Sequence, residues 1–454
     1  MLKSRELWPR VKVIKQGLLL LAFWVASLIW PVTCQAIDLL QTGRSTLAVS
    51  LELKRLEEKV LSARMYVKEM QGRFGPTLGL TASHTHTDQA KPIDVHKRER
   101  DYAVTLSHPL YRPGLWYDYQ EATLKARMVD IRLIEKRETL LFDVLATVLD
   151  ICRIRSRLAI TKNSLDFVEK TVDIQKQLME TGYGSRFELL EAQVELARYR
   201  KDWQGLSTQL QLKLLAIENL SDVRLKQADF PEIMDLVLSP LLESSLNETS
   251  AWIQAAYRLN SKLMLIQLNQ EINQISKTRA FSSLKPSVDL IVAYHQAEEE
   301  VLTTNRVDDS SIQLSFSMAF SPVSTYYQVR QSDIEGRALE IEVENERKKL
   351  RDSINELCYS IKLKREDVKV QRQWKLKQKK VVEMLEKGLK EKHFPFSRFI
   401  DSSRKYNESR VDLSQISIDI WEDRVRLLYL SGQLNLKSLD QLSQEFETLF
   451  VLEH

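Results

Sequence analysis

The residues with the widest chemical reach are few: seven histidines and three cysteines in 454 residues. His84 and His86 stand two apart, which on a strand puts both rings on one face. Joined by His96 or His108 they would have the donors of a transition-metal site. Strand-end histidines beside a polar loop also serve simply as polar rim residues, and the spacing leaves both readings open. Cys152 and Cys358 fall within helical stretches at comparable heights in the two halves of the chain. A disulfide between them suits an oxidising compartment, although helix-to-helix geometry for one is demanding. No nucleophile elbow, phosphate-binding loop or zinc-protease helix occurs. The sequence therefore predicts no catalytic centre, no cofactor and no resident metal, and function must reside in shape and surface.

Composition agrees. Glycine (12) and proline (11) are scarce and charged residues make up 28%, which favours long, solvated helices. The formal charge of +4 comes from 66 basic and 62 acidic residues interspersed along the chain. Without a basic patch or stripe, nucleic acid is not an expected partner. Residues 1–36 read as an export signal: Lys3, Arg5, Arg10, Lys12 and Lys15 precede an apolar stretch, Gly17 to Trp30, of about fourteen residues. Cleavage after Ala36 leaves Cys34 and Ala36 at the inspected positions. Lipidation of Cys34 fits less well, because Pro31 stands where an aliphatic residue is wanted. No later apolar run is long enough for a membrane helix, so the chain is expected to be exported as a soluble protein or to insert as a β-barrel.

Residues 46–220 laid over 256–430 repeat the same features at an offset of about 210. Each copy opens with a helical stretch, Leu47 to Gln71 and Ala256 to Lys277. Alternating segments introduced by Pro76 and Pro286 follow, then polar loops (Asp88 to Asp101, Glu298 to Asp309), then second alternating segments. Period two predicts strands at about 76–87, 101–110, 286–297 and 310–320. Ile312, Leu314, Phe316, Met318 and Phe320 share one face, with small polar residues between them. Such alternation suits a barrel strand between lipid and a wet lumen, and equally a soluble hairpin lying on a core. Four strands cannot close a barrel, so a barrel must draw strands from several subunits.

Each hairpin leads into a helix of great length. Apolar positions such as Leu133, Leu140, Val144, Val148 and Ile151 recur at three- and four-residue steps. Long helices are expected at about 115–181 and 323–391, with returning helices at about 186–220 and 397–431. Gly182-Tyr183-Gly184-Ser185 turns the first pair, and His393-Phe394-Pro395-Phe396 turns the second. Glycines permit a tight reversal and leave backbone open to a partner. Residues 37–220 and 247–434 thus form two repeats, joined by a proline-interrupted linker at 221–246 and followed by a tail at 435–454.

This layout, with the run Gly182-Tyr183-Gly184-Ser185-Arg186-Phe187-Glu188-Leu189-Leu190-Glu191-Ala192-Gln193, resembles the TolC family of outer-membrane efflux proteins. The resemblance implies a mainly α fold with a small β part: a homotrimer whose twelve-stranded barrel sits in outer-membrane lipid above an α-helical periplasmic tunnel. It implies an exit duct for a tripartite efflux pump or type I secretion system, with a periplasmic adaptor (membrane fusion) protein and an inner-membrane transporter as partners. Gly182, Tyr183, Gly184, Ser185, Phe394, Pro395 and Phe396 would contact the adaptor. Asp401 matches the second acid of the family's periplasmic gate, and Arg398 replaces the first. Glu188 and Glu191 hold the equivalent places in the first repeat, where helix-dipole stabilisation accounts for them equally well. The rival from another class is an exported periplasmic coiled-coil scaffold that never enters lipid.

Overall fold

The computed structural model describes residues 38–89, 95–182, 184–235, 249–300, 304–390 and 396–451. The expected signal segment, 1–36, lies outside them, as do residues 236–246 of the expected linker. The first repeat comprises α1 (Leu39–Val49), α2 (Leu51–Gly72), β1 (Thr77–Gln89), β2 (Val95–Tyr111), α3 (Pro113–Glu180) and α4 (Arg186–Ser221). The second comprises α5 (Thr249–Leu259), α6 (Ser261–Ser282), β3 (Ser287–Glu300), β4 (Thr304–Ser317), α7 (Pro322–Lys390) and α8 (Phe396–Leu430), and α9 (Leu436–Val451) follows.

The duplication is close in detail. Helices α5 and α6 begin and end 210 residues after α1 and α2. The expected opening helices are therefore each two helices, broken at Ser50 and Asn260. Polar side chains at these points compete for backbone: Ser50 Oγ accepts from the Leu53 N–H at 3.3 Å, and Asn260 Oδ1 from the Leu263 N–H at 3.0 Å. Both hairpins have the same register, Thr77 opposite Ser107 and Ser287 opposite Ser317. From the long helices onward the offset is 209, Pro113 answering Pro322, because a bulge between Pro109 and Tyr111 adds a residue to the first repeat. Buried Leu141, Leu145, Leu149 and Cys152 then correspond to buried Leu350, Ile354, Cys358 and Ile361.

Strand limits differ from expectation. β2 begins at Val95 rather than near 101, and β3 and β4 continue through residues read as loop, to Glu300 and from Thr304. The ladder needs only backbone partners, so charged stretches remain paired above the alternating region. β4 ends at Ser317 rather than 320, because its partner β3 begins at Ser287 and Pro286 before it has no N–H to donate.

The wall has a fixed order. The sheet runs β1-β2-β3-β4, antiparallel throughout. Nearest the sheet, α3 packs between α2 and α6, and α6 packs on α7. Farther away, α3 packs between α4 and α8, and α8 packs on α7. With 68 residues, α3 runs roughly 100 Å at 1.5 Å per residue. Its stripe of Val144, Val148, Ile151 and Cys152 enters a core shared with α8, α1 and α9, where Leu39, Trp421, Leu439 and Leu442 are buried. The segment after α4 closes the same core with Phe230 and Ile233, on either side of Pro231. Cys152 and Cys358 are both buried and are not joined by a disulfide. The counterpart of Cys358 in the first repeat is Leu149, three residues before Cys152.

Three contacts tie the start of α6 to α3 and to the end of α8. Gly432 ends α8 at φ +67°, and a Cβ there would lie 2.4 Å from the Leu259 carbonyl oxygen. The Asn260 amide donates to the Leu430 carbonyl at 3.0 Å beside it. Glu138 on α3 is buried and accepts from Ser261 Oγ at 2.9 Å. Burial pushes its carboxyl up to about 7, with Glu135 adding to the rise and the Ser261 hydrogen bond opposing it.

Gly432→Ala is expected to destabilise the fold by at least about 1–3 kcal/mol, since both the backbone angle and the contact with Leu259 resist a side chain. Denaturant unfolding measures this, and an unchanged midpoint would refute the close packing. Between pH 4.5 and about 7 the unfolded Glu138 ionises while the folded one keeps its proton. The native state then holds more protons, so this contribution to stability falls as pH rises across that window. Glu138→Gln should flatten the fall in thermal midpoint there, whereas parallel pH profiles for both proteins would exclude it.

Candidate functional site

The sheet presents one apolar face and one small, polar face. Across the four strands, Leu78, Leu106, Val292 and Ile312 form one row. Leu80, Val104 and Tyr294 form the next row, and His108, Leu290 and Leu314 the row on its other side. Among the described residues nothing covers this face: Leu80 is 73% exposed, Ile312 80% and Phe316 69%. From Val288 to Gln296 the band spans about 27 Å along the strand at ~3.4 Å per residue, close to the ~25 Å apolar belt of outer-membrane barrels. Tyr102 and Tyr294 lie toward one margin of the band, Tyr111 and Phe316 at the other. Beyond the Tyr102 row the same face turns ionic, with Arg100 3.7 Å from Glu298 and Arg306 3.2 Å from Asp308. The other face carries Thr77, Thr81, Ala103, Thr105, Ser311 and Ser315. β1 and β4 are the sheet's outer strands, each paired on one side only.

The sheet joins the helices through an ion pair that sequence reading missed. Arg112, just before α3, meets buried Asp289 of β3 at 2.8 Å. Nearby, Arg279 of α6 reaches Asp118 at 2.9 Å and Glu121 at 3.3 Å on α3. A visible signal was Asp289 itself, a lone acid between Val288 and Leu290.

The first tip is built on glycine. Gly182 has φ +78°, and its N–H bonds to the Met179 carbonyl at 3.1 Å. A Cβ on Gly184 would lie 2.7 Å from the Met179 nitrogen, and the Gly184 N–H reaches back to the Leu178 carbonyl at 2.8 Å. Only glycine tolerates both the turn and this approach. Ser185 then caps α4, its Oγ accepting from the Phe187 N–H at 3.2 Å. Tyr183 lies outside the described residues. Phe187, Leu190 and Val194 follow on an exposed strip. Glu188 occupies the first turn of α4, whereas Glu191 has one carboxylate oxygen buried without a hydrogen-bond partner, as does Glu195 one turn on.

At the second tip, Phe394 and Pro395 lie outside the described residues, and of Phe396 only its backbone, opening α8, is described. Phe399 and Ile400 are buried against Val168, Val172, Ala192 and Leu385, which fixes the rotation of this end of α8. Arg398 is exposed. Asp401 is ion-paired with Arg404, one turn later, rather than with Arg398 one turn earlier. An acid followed three residues on by a base was a legible signal for that pair.

Of the expected metal-site histidines, the side chain of His96 lies outside the described residues. His84 lies opposite Arg100 and His86 opposite Arg98. His108 is eight residues along β2 from Arg100, about 27 Å at ~3.4 Å per residue. Among the described residues no group of three potential metal ligands occurs, and no described helix is long and apolar enough to cross a membrane.

Residues 43–221 match the family model described as outer membrane efflux protein. No curated protein matches the chain by sequence. Solved structures match it across most of its length. The outer membrane protein VceC of Vibrio cholerae is 12% identical with a TM-score of 0.73, covering 87% of this chain and 96% of its own. The outer-membrane channel OprN is 13% identical with a TM-score of 0.75, covering 87% and 90%. The Campylobacter jejuni CmeC outer membrane channel is 11% identical with a TM-score of 0.72, covering 90% and 89%. The first repeat thus matches the outer membrane efflux protein model, and the chain as a whole shares the fold of these outer-membrane channels.

Proposed function

We propose that the chain is one subunit of a homotrimeric outer-membrane channel, the exit duct of a tripartite efflux pump or type I secretion system. The observation that carries this is the bare apolar band on a sheet with two unpaired edges, mounted on helices of roughly 100 Å. In lipid an open sheet edge leaves backbone groups unsatisfied, so the sheet is stable there only when closed. Three copies supply twelve strands, with the Leu80 face toward lipid and the Thr81 face toward a wet lumen. The helices continue the duct into the periplasm. Such a channel catalyses nothing; energy enters through an inner-membrane transporter reached by a periplasmic adaptor protein.

In this reading the adaptor docks at the tips, on Gly182, Tyr183, Gly184 and Ser185 and on Phe394, Pro395 and Phe396. The exposed Phe187 and Leu190 beside the first tip offer it apolar surface. Asp401, Arg398, Glu188 and Glu191 would stand near the periplasmic opening, repeated by symmetry. The Asp401–Arg404 pair makes that ring less anionic than carboxylates alone. A soluble scaffold would share the helices but leave the band and both edges exposed to water, an aggregation hazard.

Membrane fractionation, detergent extraction and oligomer mass test the proposal. The expected result is a detergent-requiring trimer in the outer-membrane fraction, and a soluble monomer or dimer would overturn it. In planar bilayers Arg404→Ala should raise the preference for cations over anions severalfold by freeing Asp401, and Asp401→Asn should abolish that gain. An unchanged reversal potential in Arg404→Ala would remove Asp401 from the gate.

A further inference from the structure

The chain contains, within itself, a junction between its first and second repeats. There β2 pairs with β3, α3 packs on α6, and α3 packs on α8. Shifting each partner by the repeat offset turns this into a junction between the second repeat and a following first repeat. β4 then pairs with β1 of the next copy, α7 packs on its α2, and α7 packs on its α4. These are the elements left at the two margins of the wall. We infer that the subunits join by repeating the internal junction, and that it sets the register of the seam strand by strand. This rests on the ring assembly proposed above and specifies its contacts.

The register follows directly. Leu106 lies opposite Val292 and Thr105 opposite Ala293 within the chain. The corresponding pairs place Phe316 opposite Ala82 of the next copy, and Ser315 opposite Ser83 of the next copy. Ser317 then faces Thr81 of the next copy, and Met318 faces its Leu80. An otherwise unexplained feature is thereby accounted for. The apolar alternation of β4 runs to Phe320, three residues past the end of its ladder with β3. At the seam the overrun has partners, since Met318 meets Leu80 and the Phe320 end comes level with Leu78. Phe320 and Met318 are 71% and 56% exposed in the single chain.

The helices change chemistry at the same place. Inside the chain the junction of α3 and α6 is apolar, built on Met128, Ile131 and Leu268 with Leu265 beside them. Their counterparts at the seam are Arg337 and Glu340 on α7, and Glu58 and Arg55 on α2. All four are exposed. The two helices run antiparallel, so Arg337 comes level with Glu58 of the next copy and Glu340 with its Arg55. An apolar in-chain contact is thus replaced by complementary charge. Such a surface stays soluble before assembly, and it penalises slipped registers by placing like charges together.

Cysteine cross-linking tests the register in a Cys152→Ala, Cys358→Ala background. The matched pairs are Ser317→Cys with Thr81→Cys, and Ser315→Cys with Ser83→Cys. The mismatched pairs use the same four positions, Ser315→Cys with Thr81→Cys and Ser317→Cys with Ser83→Cys. Both matched pairs should give covalent oligomers on non-reducing gels after mild oxidation, at least severalfold more than either mismatched pair. If the mismatched pairs dominate, or all four are equal, while native mass still shows an oligomer in detergent, the inferred register is wrong and the ring stands. If native mass shows a monomer, the ring itself fails. Arg337→Glu should lower resistance of the oligomer to heating in detergent, and adding Glu58→Arg should restore it. Failure of that restoration would remove the charged part of the seam.

Discussion

Everything in this molecule is subordinate to the satisfaction of backbone hydrogen bonds at the edges of one four-stranded sheet. In water an edge strand can bond to solvent, but in hydrocarbon it cannot, and each unpaired group costs several kcal/mol. A sheet with an apolar outer face must therefore find strands for both margins. The described chain supplies four, with β1 and β4 each paired on one side only; in the proposed channel other copies complete them. The same order, margin to margin, recurs in the helices, where α2 and α4 lie at one side of the wall and α7 at the other. In the proposed ring, closure of the sheet and closure of the tunnel would be a single geometric act. A heterologous contact of this kind generates a ring when the rotation closes.

The internal duplication makes this economical. In the proposed ring, the packing of one repeat on the other within the chain would be reused between chains. The two repeats nevertheless diverge where their tasks differ. The belt core is concentrated on the first repeat's long helix, with Val144, Val148 and Ile151 fully buried among α1, α8 and α9. The long helix of the second repeat leaves Tyr359, Leu363 and Val370 exposed. The first tip turns on glycine, whereas the second has Phe394-Pro395-Phe396 in the same place.

Much was legible in the sequence because two periods dominate it. Alternation in threes and fours marked the helices, and alternation in twos marked the strands. Neither depends on what lies far away in the chain. The glycines of the first tip were likewise readable, since Gly182 and Gly184 meet local backbone demands. The breaks at Ser50 and Asn260 were missed because a capping side chain competes with a helix only when its geometry is met, and the apolar period runs through both sites undisturbed. Strand ends were misplaced for a related reason: a ladder stops where its partner stops. Met318 and Phe320 continue an alternation that β3 cannot match.

The sequence alone determined the element types, the duplication, the length of the helices, the turn at Gly182 and the apolar face of the strands, because each is written in contiguous residues. Tertiary structure decided which groups meet. It buried Phe399 and Ile400 against Val168, Val172, Ala192 and Leu385, which fixes the rotation of that end of α8. It paired Arg112 with Asp289 across 177 residues. It left Cys152 and Cys358 unbridged on different helices, and it set His84 and His86 opposite Arg100 and Arg98. Pairings of this kind depend on how elements are rotated and registered against one another, which packing alone imposes.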